Sequence, residues 1–287
     1  MNFIDLHTDL PLKLLEGTEC YSDCTSVGFE RFLQNTAFWF NGKEEDPWHK
    51  YNEYLNKTLS FIEDRGLCVF KGDRDQKKGI ILSVENGGFL SDNPDFIYKM
   101  QADNIKIISL TWNGENPLGG GAGSDMGLTK TGRKIIELAN SLNIALDISH
   151  LSNRAAPEAV EAAKYPLATH SNCSAIKLNP RNLSDEVLIK IRDKNGLVGL
   201  CFYPEFLGDD LFYSIGRNIL HLLELNMEKN ISIGTDFDGG NMSNILSTPR
   251  DIYALYDYLV NMGIKKSVLD AIFYENAIAF LGRICQN

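Results

Sequence analysis

Short apolar, β-branched runs alternate along the chain with amphipathic helical patterns. This alternation is typical of β–α–β units around a parallel sheet. The apolar runs predict eight strands, at Phe3–Asp9, Thr36–Phe40, Gly79–Glu85, Ile105–Thr111, Ile144–His150, Pro166–His170, Leu197–Tyr203 and Ile231–Asp236. Eight strands with interleaved helices in 287 residues predict an α/β fold, a TIM-like (β/α)8 barrel with a parallel eight-stranded sheet. A doubly wound open sheet is the alternative, although no glycine fingerprint follows the first strand.

The helical patterns carry recognisable ends. The segment "SDEVLIKIRDKNG" begins with Ser184, a good N-cap, and we expect it to end at Gly196 in the left-handed conformation. The segment "PWHKYNEYLNKTLSFIEDRG" predicts another helix that ends at Gly66. These ends separate the helices cleanly from the strands that follow them.

Composition bounds the class of protein. A hydrophobic fraction of 44% supports a full core, and no repeat, low-complexity tract or proline-rich linker divides the chain, so we expect one domain over residues 1–287. The net charge of −10 is spread along the chain and disfavours nucleic acids and anionic membranes as partners. We see no signal peptide or apolar run of membrane-spanning length, and the six cysteines are scattered. These features predict a cytoplasmic protein with reduced thiols.

Polar residues occur where the predicted strands end. In a barrel of this type the chemistry lies at the C-terminal ends of the strands, so these residues are candidates for a shared site. A glycine-rich segment at 119–127 is expected to form a mobile loop at the same rim. Asp5 lies deeper in the first strand, and we expect it to brace the barrel floor. The strand-end residues are His7, Asp9, Glu85, His150, His170, Tyr203 and Asp236.

Each of these residues alone has an ordinary explanation, because a single histidine beside a strand is more often a hydrogen-bonded core residue than a ligand. Three imidazoles and three carboxylates on one rim are different, since burying them without compensation is costly. A divalent cation such as Zn²⁺ supplies that compensation, and six ligands exceed what one catalytic zinc needs. The pattern therefore predicts a binuclear site. His49 and His221 lie in helical stretches and are expected to be structural or surface residues.

The ordered set of motifs resembles the membrane (renal-type) dipeptidases of the amidohydrolase superfamily. The motifs are "HTD" on strand one, "VENGG", "DISH", "THSN", "PRNL" and "GTDFDG". The resemblance implies two Zn²⁺ ions, with another divalent metal left open. It implies that His7 and Asp9 bind one ion, that His150 and His170 bind the other, and that Glu85 bridges both.

The same resemblance implies which side chains bind the substrate and transfer its protons. Asp236 would hydrogen-bond a metal-bridging hydroxide and carry its proton to the leaving amine. Arg181, in "NPRNLSDE", would bind the C-terminal carboxylate of a dipeptide, for which a bidentate arginine is well suited. Tyr203 would assist at the same end. C-terminal D-residues are among the implied substrates, and a homodimer is an open alternative to a monomer.

One position departs from the family pattern. Relatives carry a histidine after "LT" on strand four, where it contacts the substrate and the developing oxyanion, and this chain has Trp112 in "SLTWNGENPLGGG". Asn113 is a candidate replacement donor, with Asn116 as its alternative. Losing one such donor costs about 10² to 10³ in rate. Two other hypotheses follow: a binuclear hydrolase for another amide or lactone, and a catalytically idle, metal-stabilised binding protein.

Overall fold

A computed structural model describes residues 1–285. Eight parallel strands form a closed barrel in chain order, β1 to β8. This arrangement confirms the predicted (β/α)8 barrel and excludes the open-sheet alternative. The strands are β1 (Asn2–Thr8), β2 (Arg31–Trp39), β3 (Lys78–Glu85), β4 (Ile105–Ser109), β5 (Ala145–Asp147), β6 (Pro166–Ala168), β7 (Leu197–Leu200) and β8 (Ile231–Ile233).

Helices connect the strands and cover the outside of the barrel. Short 3₁₀ turns lie at Cys24–Ser26 and Gly87–Ser91, and a π-helical turn at Ala271–Glu275 joins the last two helices. The α-helices are α1 (Leu10–Glu16), α2 (Pro47–Asp64), α3 (Phe96–Ala102), α4 (Lys130–Ser141), α5 (Ala155–Ala162), α6 (Asp185–Asp193), α7 (Pro204–Leu207), α8 (Leu211–Glu224), α9 (Asp251–Asn261), α10 (Lys266–Asp270) and α11 (Asn276–Ile284).

Several strands end earlier than their apolar patterns predict. The chain leaves the sheet after Asp147 in β5 and after Ile233 in β8, three residues before His150 and Asp236 respectively. His150 and Asp236 adopt left-handed φ values of 68° and 64°. For residues other than glycine such a backbone costs about 1–3 kcal/mol and is concentrated at functional sites. The predicted boundaries were therefore wrong because the last residues of each run form tight turns above the barrel.

The end of α6 differs in a similar way. Ser184 caps the helix as predicted, since its side chain accepts a hydrogen bond from the backbone N–H of Val187. The left-handed residue after the helix is Asn195, with φ of 53°, and not Gly196. Gly196 has another reason to lack a side chain, because a Cβ there would lie 2.4 Å from the carbonyl oxygen of Pro166.

The apolar core has two parts. The larger part lies between the barrel and its helices, and the smaller part fills the barrel interior below the site. Helix α11 closes the bottom of the barrel with Ala277 and Leu281. The interior is thus a packed core, and polar side chains find space only above it. Each strand except β8 contributes to this interior cluster, through Ile4, Leu6, Leu33, Ile81, Ile107, Ala145, Leu167 and Leu197.

Strand β1 does not alternate regularly. Ile4 and Leu6 belong to the interior cluster and Phe3 to the outer one, and the pairing with β2 shifts between Asp5 and Thr8. This bulge turns His7 towards the centre, although simple alternation would place it on the face of Phe3. Asp5 does not brace the floor as expected. Its carboxylate accepts hydrogen bonds from the Thr235 backbone N–H and hydroxyl and from the backbone N–H of His7.

Candidate metal centre and active site

The strand-end residues meet around Glu85, the last residue of β3. One carboxylate oxygen, Oε1, lies 2.7 Å from His150 Nε2 and 3.9 Å from His170 Nε2. The other, Oε2, lies 3.6 Å from His7 Nε2, and His7 Nε2 is 3.7 Å from Asp9 Oδ2. The two oxygens of Glu85 therefore face two different groups of ligands.

The three histidines present the same ring nitrogen to this centre. His150 Nε2 and His170 Nε2 are 2.8 Å apart, and His7 Nε2 is buried with no hydrogen-bond partner among residues 1–285. Potential ligand atoms of His7, Glu85 and His170 all lie within 4.8 Å of one another, as do those of His7, Asp9 and Asp236. Two overlapping groups of ligand atoms thus share His7.

Burial and mutual charge shift the pKa values of these groups. Burial alone would lower the pKa of His7, but the carboxylates of Asp9 and Glu85 outweigh it and raise that pKa to about 10. Burial raises the pKa of Asp236 to about 7, against the opposing effect of His7. Burial also lowers the pKa values of His150 and His170 well below the usual range, with nearby positive groups adding to the effect.

Two features of these residues favour a bound metal. An unpartnered buried imidazole nitrogen and two imidazole nitrogens in direct contact are unfavourable without a positive charge between them. Nitrogen and carboxylate donors suit Zn²⁺ or a related divalent ion. The donor set therefore fits a divalent metal, and the carboxylates that favour a proton on His7 also favour a cation in its place.

A cavity of about 590 Å³ opens directly above these ligands. On one side lies Arg181. Its Nε is buried without a hydrogen-bond partner in the part of the chain that the structure describes, and its Nη2 donates to the carbonyl oxygen of His170. Its guanidinium lies 5.3 Å from the ring centroid of Phe206, and burial lowers its pKa. The cavity thus combines the carboxylates of the centre with a cationic group that has donor capacity to spare.

The sequence model of the membrane dipeptidase family, peptidase family M19, matches residues 46–286. The chain belongs to the membrane dipeptidase family. An uncharacterised protein from the pqqA 5′ region of Klebsiella pneumoniae is 30% identical over 242 residues, covering 77% of this chain and 89% of that protein. An uncharacterised dipeptidase of Schizosaccharomyces pombe is 28% identical over 261 residues, covering 83% of this chain and 62% of that protein.

Solved structures share the fold. A Rhodobacter sphaeroides metallopeptidase, solved with a phosphinate mimic of the dipeptide L-Ala-D-Ala, superposes with a TM-score of 0.86 at 21% identity, over 99% of both chains. A dipeptidase described as belonging to family M19 gives a TM-score of 0.86 at 22% identity, over 99% of this chain and 98% of that one. At these identities the likeness establishes the barrel architecture.

Membership of the membrane dipeptidase family confirms the resemblance drawn from the motifs and the expected enzyme class, a metallo-dipeptidase. The family also implies a divalent metal, in agreement with the donor set of the centre. Within residues 1–285, none of the helices has the length and apolar character needed to cross a bilayer.

Trp112 forms part of the cavity wall. Its ring packs edge-on against Trp39, with centroids 5.3 Å apart, and lies 6.2 Å from the ring of His150. The glycine-rich loop passes closely behind it, because a Cβ on Gly121 would lie 1.9 Å from the Trp112 carbonyl oxygen. The loop rims the cavity through Ala122 and the residue after it, which is the predicted position, and its mobility stays a prediction.

Asn113 and Asn116 have different surroundings. Asn113 lines the cavity, and its Oδ1 lies 2.8 Å from His150 Nδ1. Asn116 donates to the carbonyl oxygen of Leu110 and to Asn86 Oδ1, so its amide is committed to the loop. Of these two candidate donors, only Asn113 is placed at the cavity.

Tyr203 also lines the cavity, with its ring 5.0 Å from that of Phe206. Nearby, the thiol of Cys201 donates a hydrogen bond of 3.5 Å to Asp236 Oδ2. Burial raises the pKa of this thiol well above its usual range, so it remains a protonated donor. Cys201 thus fixes one oxygen of Asp236.

The two remaining histidines lie elsewhere. His49 is an exposed residue of α2, 3.7 Å from Glu53, and His221 in α8 contacts Asp185 in α6 at 2.8 Å. Sequence reasoning missed other contributors, notably Trp39 in the cavity wall and Asp147 with Thr169 beneath the histidines. Asp147 was detectable, since it is a carboxylate at a strand end in "ALDISH".

Proposed function

We propose that this chain, as one hydrolase domain over residues 1–287, is a zinc-dependent dipeptidase. The observation that carries the proposal is the convergence of three Nε2 atoms on Glu85 beneath a cavity walled by Arg181. His7 and Asp9 would hold one ion and His150 and His170 the other. Glu85 would contact both, in keeping with the distances from its two oxygens.

Divalent ions bound there would lower the pKa of a water molecule and polarise the peptide carbonyl. The other roles belong to side chains. Asp236 lines the cavity with a pKa raised to about 7, so it is suited to accept a proton from the attacking water and donate it to the leaving amine. The Cys201 thiol donates a hydrogen bond to one oxygen of Asp236, and this contact orients the carboxylate for the proton transfer.

Arg181 would bind the free C-terminal carboxylate of the substrate. Its buried Nε has no hydrogen-bond partner among the described residues, and a carboxylate would provide one with complementary charge. Tyr203 lies in the same part of the cavity lining and would add a polar contact. This arrangement restricts substrates to short peptides, because the C-terminal carboxylate at Arg181 and the peptide bond at the metal centre must both lie within the same cavity.

Substrates with a C-terminal D-residue are included in the proposal. It is supported by the Rhodobacter sphaeroides structural neighbour, whose ligand mimics L-Ala-D-Ala. Another amide or lactone is the second candidate substrate, because Trp112 presents an indole ring where the family histidine would present a polar group.

The test is release of free amino acids from a panel of L-L and L-D dipeptides by zinc-loaded protein. We expect release by the native protein, and a loss of about 10² to 10⁴ in kcat for Asp236→Asn with its metal retained. A protein that holds metal yet cleaves no dipeptide of the panel would contradict the proposal. Equal activity of native protein and Asp236→Asn would remove Asp236 from the mechanism.

A further inference from the structure

Thr169 lies beneath the metal centre, between β6 and His170, and its side chain is buried. Its hydroxyl oxygen has three polar neighbours. It is 2.8 Å from His170 Nδ1, 3.2 Å from His7 Nδ1 and 2.5 Å from Asp147 Oδ2. One hydroxyl group therefore contacts the inner nitrogens of two histidines that project towards different oxygens of the centre.

Asp147 is held in a fixed orientation at this point. Its Oδ1 accepts hydrogen bonds of 2.9 Å from the backbone N–H groups of Ser149 and Thr169. These residues immediately precede His150 and His170, so one carboxylate ties together the two turns that carry them. The backbone N–H of His170 also donates to the Ser149 hydroxyl, at 3.1 Å.

The direction of the hydrogen bonds follows from the donors available. An ionised carboxylate only accepts, so the single hydroxyl hydrogen of Thr169 is donated to Asp147. The hydroxyl oxygen is then left as an acceptor, and the Nδ1 atoms of His7 and His170 must each donate to it. With Nδ1 holding a proton, Nε2 is the ring nitrogen that can bind a metal, and in both histidines it faces Glu85.

We propose that Thr169, oriented by Asp147, is a positioning residue that fixes the Nδ1–H form of both His7 and His170 and thereby prepares the two halves of the metal centre together. This inference rests on the proposed metal centre. Partners of this kind outside the ligand shell typically contribute about 10- to 100-fold in metal affinity.

The first test uses metal-free protein with ¹⁵N-labelled histidine, because long-range ¹H–¹⁵N spectra report which ring nitrogen carries the proton. We expect Nδ1–H at His170 in the native protein. Asp147→Asn is the sharpest variant. The asparagine amide would donate to the Thr169 oxygen and free the Thr169 hydroxyl hydrogen. The hydroxyl would then donate to the Nδ1 of one imidazole, and the proton of that ring would move from Nδ1 to Nε2.

The second test measures zinc affinity by competition with a chelator. We expect Thr169→Val to bind zinc about 10- to 100-fold more weakly at both positions, and Thr169→Ser to recover most of the loss. Thr36→Val is the matched control, because Thr36 is a buried barrel threonine whose hydroxyl donates to the Ile81 carbonyl oxygen. Circular dichroism of the metal-free variants establishes whether each is folded. If Thr169→Val does not fold, the proton positions in Asp147→Asn still test the inference.

The outcomes separate this inference from the proposed function. An unchanged proton position on both His7 and His170 in Asp147→Asn, or zinc affinity of Thr169→Val equal to that of Thr36→Val, would overturn the inference even if dipeptides are cleaved. The expected shifts in proton position and affinity would support it even if no dipeptide is a substrate. A weakening confined to one zinc position would also refute it, since Thr169 contacts both histidines.

Discussion

His150 Nε2 and His170 Nε2 face each other at 2.8 Å, each from a tight turn that follows a three-residue strand. Burial lowers the pKa values of both rings well below the usual range, which favours neutral rings, and each Nδ1 lies beside an oxygen that can accept its proton, so the two Nε2 lone pairs face each other. A cation shared by the two rings would resolve this contact.

Replacing His170 by alanine should remove about one of two zinc equivalents, because it deletes a ligand from one half of the centre. Metal analysis after dialysis against a weak chelator measures the loss. His49→Ala is the matched control, since the His49 side chain is 71% exposed and its partner is Glu53, which is not one of the proposed ligands. Full zinc content in His170→Ala would contradict the ligand assignment.

Replacing Arg181 by methionine should lower kcat/KM for dipeptides by about 10- to 100-fold, since a charge-assisted hydrogen bond contributes about 1.5–3 kcal/mol. The loss should appear mainly in KM. The same dipeptides with an amidated C-terminus are the control substrates, because they lack the carboxylate that Arg181 would bind. A similar relative loss on acids and amides would show that Arg181 has only a structural role.

Trp112→His separates the two candidate substrate classes. If dipeptides are the native substrates, the cavity is already adapted to Trp112, and the variant should cleave them no more than about tenfold faster. If the site serves another amide or lactone, restoring the family histidine should supply an oxyanion donor that contributes about 10² to 10³ in rate. Kinetics on one L-L and one L-D dipeptide decide between these results.

Zinc affinity should rise with pH. The carboxylates of Asp9 and Glu85 raise the pKa of His7 to about 10 despite burial, and zinc requires the unprotonated Nε2. Below that pKa the proton competes with the metal, so each lower pH unit should weaken binding at His7 by up to about tenfold. His150 and His170, with lowered pKa values, should release no proton.

Calorimetry in buffers of different ionisation enthalpy counts the protons released when zinc binds, and chelator competition between about pH 6 and about pH 9 gives the slope. His49→Ala again serves as the control and should match the native slope. Affinity that does not change over this range would show that His7 is already unprotonated in the metal-free protein.

Much of the centre was predictable from local sequence. The strand-end rule found His7, Glu85, His150 and His170 because parallel strands of a closed barrel deliver their C-terminal ends to one rim. The structure brings these four together around the two Glu85 oxygens. The strand-end rule did not predict the contacts of Asp5, because its partner Thr235, which follows β8, lies 230 residues away along the chain.

The sequence by itself determined the barrel, the order of its strands and the residue types at its rim, because these depend on hydrophobic period and on the ends of local elements. Only the tertiary structure decided how those residues face one another. The bulge after Asp5 turns His7 inward, and left-handed turns aim His150 and Asp236. The shared hydroxyl of Thr169 joins strands distant in sequence, and such contacts exist only once the barrel closes.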